Sequence, residues 1–98
     1  MKAVAPQQQI SFERRISVEN SNEMRDRLGA ALKLKPRELT VDLSRVTSID
    51  ISGLATLVEA TRIARSQGTR LAITGIQGQV QLLFAITHID QMLDTTAE

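Results

Sequence analysis

The chain of 98 residues carries 12 Lys and Arg against 11 Asp and Glu, for a formal charge of +1, and is 42% apolar with two Phe and no Trp, Tyr or Cys. That length fits one domain with a packed core. Near-neutrality argues against nucleic acid or an anionic membrane as partner, the lack of Cys excludes disulfide and thiol chemistry, and two aromatics do not make a stacking platform for bases or sugars. No apolar run approaches the roughly 20 residues that span a bilayer, and the start of the chain lacks the apolar core of a signal peptide, so the expected location is cytoplasmic.

Residues 1–8, with Pro6 and the start of a Gln run, show no periodicity and are expected to form a flexible arm ahead of a domain over 9–93. Ile10 and Phe12 alternate with Gln9, Ser11 and Glu13, which predicts an opening strand, and Ile16 and Val18 leave material for only a short second one. The sheet edge there reads as incomplete, open to weak pairing with a second copy. Asn20-Ser21-Asn22-Glu23 has the form of a capping box with Asn as N-cap, and Met24, Leu28, Ala31 and Leu32 give the following helix one apolar stripe. Pro36 ends that helix near Leu34. A strand over Glu38–Leu43 comes next, with Leu39, Val41 and Leu43 on one face, and Ser44 to Ser48 reads as a loop.

A second helix is expected from Asp50 to about Ser66, with Leu54, Leu57, Val58, Thr61 and Ala64 at helical spacing and Gly68 as its stop. Leu71–Thr74 reads as a strand ended by Gly75, parallel to the strand before the helix. Gln77–Ile86 reads as a third helix with Val80, Leu83, Phe84 and Ile86 as its buried side. Ile89, Met92 and Leu93 are expected to close the core, and 94–98 to form a tail. His88, the single histidine, follows the third helix, where its tolerance of positive φ suits a helix-ending residue. With Asp90 alone it lacks the partners of a metal site. Ser52, His88 and an Asp have no spacing that supports a hydrolase triad, and Gly75-Ile76-Gln77-Gly78 lacks the Lys of a phosphate loop. Binding is expected, without catalysis or a cofactor.

The remaining candidate is the start of the second helix. Asp50 and Ser52 each carry an oxygen that can accept from a free amide there, a purely structural role, and the same helix end suits a docking surface. Gly53 permits close approach of another backbone or serves packing alone. Ile51 is either an exposed apolar contact or a core residue.

The run VDLSRVTSIDISGLATLVEATRIARSQGTRLAITGIQGQVQLLF, with Asp50, Ser52, Gly53 and Leu54 as its most specific positions, resembles the STAS domain family of anti-sigma factor antagonists over roughly Asn20 to Leu93. The resemblance implies an α/β fold, a small mixed sheet of about four strands with three or four helices. It implies a module that binds an ATP-binding anti-sigma factor and serine kinase, releasing a sigma factor, through Arg45, Ser48, Asp50, Ile51, Ser52 and Gly53. Phosphorylated relatives carry Ser or Thr directly after the Asp. Here that position is Ile51, which accepts no phosphate, and Ser52 is the hydroxyl left for phosphorylation, rotated by about 100° around the helix. The likeness therefore implies binding more than a phosphate switch. Asp42-Leu43-Ser44-Arg45-Val46 also resembles a loop of the STAS accessory subunits of bacterial phospholipid-transport ABC systems, which implies an ABC transporter ATPase as the alternative partner.

Overall fold

In the computed structural model, residues 7–88 are described with their side chains and 94–96 as backbone. The chain alternates strand and helix: β1 (Gln7–Ile16), α1 (Ser21–Lys33), β2 (Glu38–Ile49), α2 (Ile51–Gln67), β3 (Arg70–Thr74), α3 (Gly78–Thr87) and β4 (Asp94–Thr96). The strands lie in the order β1-β2-β3-β4. All three pairings are parallel, so the described sheet is parallel where a mixed one was expected. The cause is the crossover helix between each strand and the next, which returns the chain to the same end of the sheet.

Two boundaries differ from the sequence reading at the chain ends. β1 already includes Gln7 and Gln8, inside the expected arm, and Asp94–Thr96 pairs with Ala72–Thr74 where a tail was expected. The positions of Ile89, Met92 and Leu93 lie outside the described residues. The opening segment is one strand of 10 residues rather than two short ones.

The largest difference lies in β2, which runs on through Ser44–Ile49 where a loop was expected. Its first half is regular: Leu39, Val41 and Leu43 are fully buried. Beyond them the register with β1 steps from Ser11↔Asp42 to Glu13↔Arg45 and then from Arg14↔Val46 to Arg15↔Ser48. Each step gives β2 one more residue than β1, the signature of a bulge. Buried positions consequently shift from Leu43 to Val46 and Ile49, and the period of two is lost. The Asp42 carboxylate supports the first step by accepting from the Ser44 amide at 2.9 Å. Arg14, at the second, has φ of 68°.

The core joins Phe12 and Ile16 of β1, Met24, Leu28 and Leu32 of α1, the apolar residues of β2, Leu54, Leu57, Ala60 and Ala64 of α2, Leu71 and Ile73 of β3, and Val80 and Phe84 of α3. Leu83 packs partly against it, whereas Ile86 is 64% exposed and not buried as expected. Val80 and Phe84 share a face at i, i+4, and Ile86 sits two residues, about 200°, beyond Phe84. α2 ends at Gly68 in the left-handed conformation and α3 ends at His88 in the same conformation, φ 60°, as the sequence reading expected. At the outer strand, Arg27 of α1 stacks over Phe12 at 4.5 Å and donates to the Ser11 carbonyl at 3.1 Å.

Gly75 closes β3 against the bulge. It has φ of +77°, and a Cβ there would lie 2.7 Å from the Ser44 nitrogen and 2.8 Å from its Cα. Both the angle and the space exclude a side chain, because backbone cannot withdraw as a flexible side chain can. Gly75→Ala is expected to cost about 2 kcal/mol, seen as a lower urea midpoint at unchanged m-value.

Candidate functional site

β2 delivers Asp50 to the start of α2. Asp50 is extended (φ −108°, ψ −173°) and is the N-cap. Its Oδ1 accepts from the Ser52 amide at 2.9 Å, the Gly53 amide at 3.2 Å and the Ser52 hydroxyl at 2.6 Å. Its Oδ2 accepts from the Val18 amide at 3.2 Å, and the Asp50 amide donates to the Ile16 carbonyl at 3.0 Å. One carboxylate thus fixes the first turn of α2 and the turn leaving β1. The Ser52 hydroxyl bond, with the amides of Gly53, Val18 and Ser52, holds the Asp50 carboxyl below the usual carboxylate range, against a smaller opposing effect of burial. The positive end of the α2 dipole favours the same charged form.

Gly53 is buried because two core side chains meet it. A Cβ there would lie 2.6 Å from Ile49 Cγ1 and 2.8 Å from Ile16 Cγ2. The ends of β1 and β2 therefore close directly onto the first turn of α2. Two residues before Gly53, Ile51 points outward and is 63% exposed, and Val18, whose amide the same Asp50 holds, is 70% exposed. Of the two readings open for Ile51, the core one is overturned: its side chain is exposed. Two apolar side chains thus stand on backbone pinned by one carboxylate.

Ser52 is half-buried, and its hydroxyl is committed to Asp50. Ser48 is half-buried and pairs in register with Arg15. Arg45 belongs to β2 rather than to a loop. It reaches Glu13 at 3.9 Å with both side chains largely exposed, a pairing of small energetic weight. It lines an open hollow of about 420 Å³ with Ser44, Val46, Thr47, Gln77 and Gly78. Asp50, Ile51, Ser52 and Gly53 thus form one cluster, while Arg45 sits towards the start of α3.

Three residues of this region carry no sequence signal for the role they take here. Val18 reads from sequence as part of a short second strand. Asn20 reads as the N-cap of a capping box, but its side chain makes no cap bond to α1. It accepts from the Ser17 amide and donates to the Arg15 carbonyl, each at 2.8 Å, and so closes the turn between β1 and α1. The spacing that suggests a cap also permits this backward reach, since Asn carries donor and acceptor together. Gln79 of α3 accepts from the Ile49 amide at 2.9 Å and donates to the Ile49 carbonyl at 3.2 Å. No local pattern marks a glutamine for a bond to a strand thirty residues earlier.

Among the described residues no group of three or more His, Asp or Glu side chains is placed to hold a metal, and no helix is long and apolar enough to cross a membrane.

A family model described as Mlab, STAS domain, matches residues 4–94. Among solved structures, an anti-sigma factor antagonist from Mycobacterium paratuberculosis superposes with a TM-score of 0.81 at 17% identity, covering 89% of this chain and 74% of that one. A putative anti-sigma factor antagonist from Thermotoga maritima gives 0.77 at 17%, covering 92% and 79%. A sulfate transporter family protein from Wolinella succinogenes gives 0.75 at 20%, covering 94% and 75%. At these identities the superpositions establish the shared fold.

The cap makes a pH signature. Because the folded-state pKa of Asp50 is lowered, its contribution is full above the unfolded value of about 4 and is lost as pH falls through the folded value. Asp50→Ala is expected to cost about 1 kcal/mol at pH 7. Its urea midpoint should then decline less than that of the wild type between pH 5 and pH 2. Asp42, lowered chiefly by the Ser44 amide, continues to contribute in both proteins.

Proposed function

Since the chain belongs to the STAS domain family, we propose that it is a regulatory protein-binding module of the anti-sigma factor antagonist kind, acting by docking rather than by catalysis. Its partner in this reading is an anti-sigma factor and serine kinase of ATP-binding type in the cytoplasm, whose capture releases a sigma factor. The observation that carries the reading is Ile51: an apolar side chain 63% exposed in the first turn of α2, on backbone held by the Asp50 carboxylate. Burying such a side chain fully against a partner contributes about 1.5–3 kcal/mol relative to leaving it in water. Because the backbone beneath it is already fixed, little conformational freedom is lost on docking. Val18 and the exposed edge of Asp50 complete the surface.

Docking here operates without the usual phosphate switch. Position 51 has no hydroxyl, and a phosphate on Ser52 would break the 2.6 Å bond to Asp50 and set two anionic groups side by side. The helix dipole favours one such anion but offsets only part of the repulsion between two.

A second reading has its own support in the Asp42-Leu43-Ser44-Arg45-Val46 run and the Mlab description of the matching family model. In it the same α2 start docks on the ATPase of a phospholipid-transport ABC system.

Affinity capture with wild type, Ile51→Asp and Asp50→Lys, followed by mass spectrometric identification, separates these readings. The expected result is capture of a kinase-type anti-sigma factor by wild type, with affinity reduced at least about tenfold in Ile51→Asp. The captured kinase, supplied with ATP, should leave the mass of the wild-type chain unchanged. Capture of a transporter ATPase would establish the second reading. Folded variants that retain the wild-type partners at wild-type affinity would overturn the placement of the site.

A further inference from the structure

β3 ends at Thr74, opposite Asp42, whereas β2 continues to Ile49. On the β3 side, the last residues of β2 therefore run past the end of their neighbouring strand. Two glutamines at the start of α3 take the place of that strand. Gln77 donates to the Ser44 carbonyl at 2.7 Å, at the beginning of the overhang. Gln79 both accepts from the Ile49 amide and donates to the Ile49 carbonyl, at its end. A primary amide offers a donor and an acceptor side by side, as a backbone peptide of a neighbouring strand does.

We propose that Gln79 is a positioning residue for the docking site: by holding both backbone groups of Ile49, it sets where β2 hands over to Asp50 and Ile51. Ile49 is the residue directly before the cap, and its side chain is the nearest neighbour of the absent Gly53 side chain. A shift of Ile49 therefore moves Asp50 through the chain and the first turn of α2 through packing. α3, which itself contributes no residue to the exposed Val18 and Ile51 pair, thereby fixes its height over the sheet. Gln79 requires both functions of its amide. Glu keeps the acceptor and loses the donor, while Met keeps the length and loses both. The link to partner binding rests on the docking reading above, but the positioning itself is a property of the free protein.

Amide hydrogen exchange on free wild type, Gln79→Met and Gln79→Glu, resolved by residue, tests it. In Gln79→Met the amides of Ile49, Val18, Ser52 and Gly53 are expected to exchange at least about tenfold faster, and in Gln79→Glu, which keeps the acceptor for the Ile49 amide, those of Val18, Ser52 and Gly53, with Leu39–Leu43 unchanged relative to global stability in both. A residue that only adds overall stability would instead shift all slowly exchanging amides together. Wild-type exchange at Ile49, Ser52 and Gly53 in folded Gln79→Met overturns the proposal. For any partner that wild type captures, Gln79→Met should bind about tenfold more weakly. Faster local exchange with undiminished binding would remove Gln79 from the docking function. Failure of wild type to bind any kinase-type or ATPase partner would instead refute the docking reading, leaving the exchange result to decide the positioning.

Discussion

Everything at the start of α2 depends on one carboxylate meeting four donors. The amides of Val18, Ser52 and Gly53 and the Ser52 hydroxyl converge on Asp50. A helix start leaves amides without intrahelical partners, and Asp50 satisfies two of them while reaching back to the end of β1. Its interactions are neither buried nor individually large. Their importance is geometric, because they tie the end of β1 to the junction of β2 and α2, 32 residues further along the chain. The chain can then present Ile51 and Val18 to solvent without leaving either on loose backbone.

That junction needs two further conditions. The strand must arrive at the right place, which the two bulges of β2 arrange by adding residues relative to β1. The helix must also approach closely, which Gly53 permits by leaving room for Ile16 and Ile49. The sulfate transporter family protein and the anti-sigma factor antagonists share the fold, so the fold alone does not choose a partner. In the proposed reading the residues carried on that fold make the choice, the exposed Ile51 foremost among them.

Much of the fold was legible because its signals are local. Leu39, Val41 and Leu43 alternate strictly, Pro36 and Gly68 stop helices, and Met24, Leu28 and Leu32 mark one buried stripe. The Asp50 cap and His88 as a helix end follow from side-chain chemistry alone. The outer half of β2 was not legible, because each bulge breaks the alternation by which a strand is recognised. Asn20 misled for a different reason: one side chain had two satisfactory sets of backbone partners, and only the path of the chain between β1 and α1 selects between them. Gln79 carried no signal at all, since its role is defined by where β3 happens to stop.

The strand order follows the chain order, and this has a consequence for how the molecule is made. Each strand lies beside its predecessor in the sheet, so the segments that β1, α1 and β2 pack against are available early in synthesis. The bonds of Gln79 to Ile49 cannot form until some thirty further residues have been added. The end of β2 therefore remains unsecured on one side until α3 arrives. A nascent chain carries Val18, Asp50 and Ile51 well before Gln79 is present to hold Ile49, so their final arrangement waits until nearly the whole domain has been synthesised.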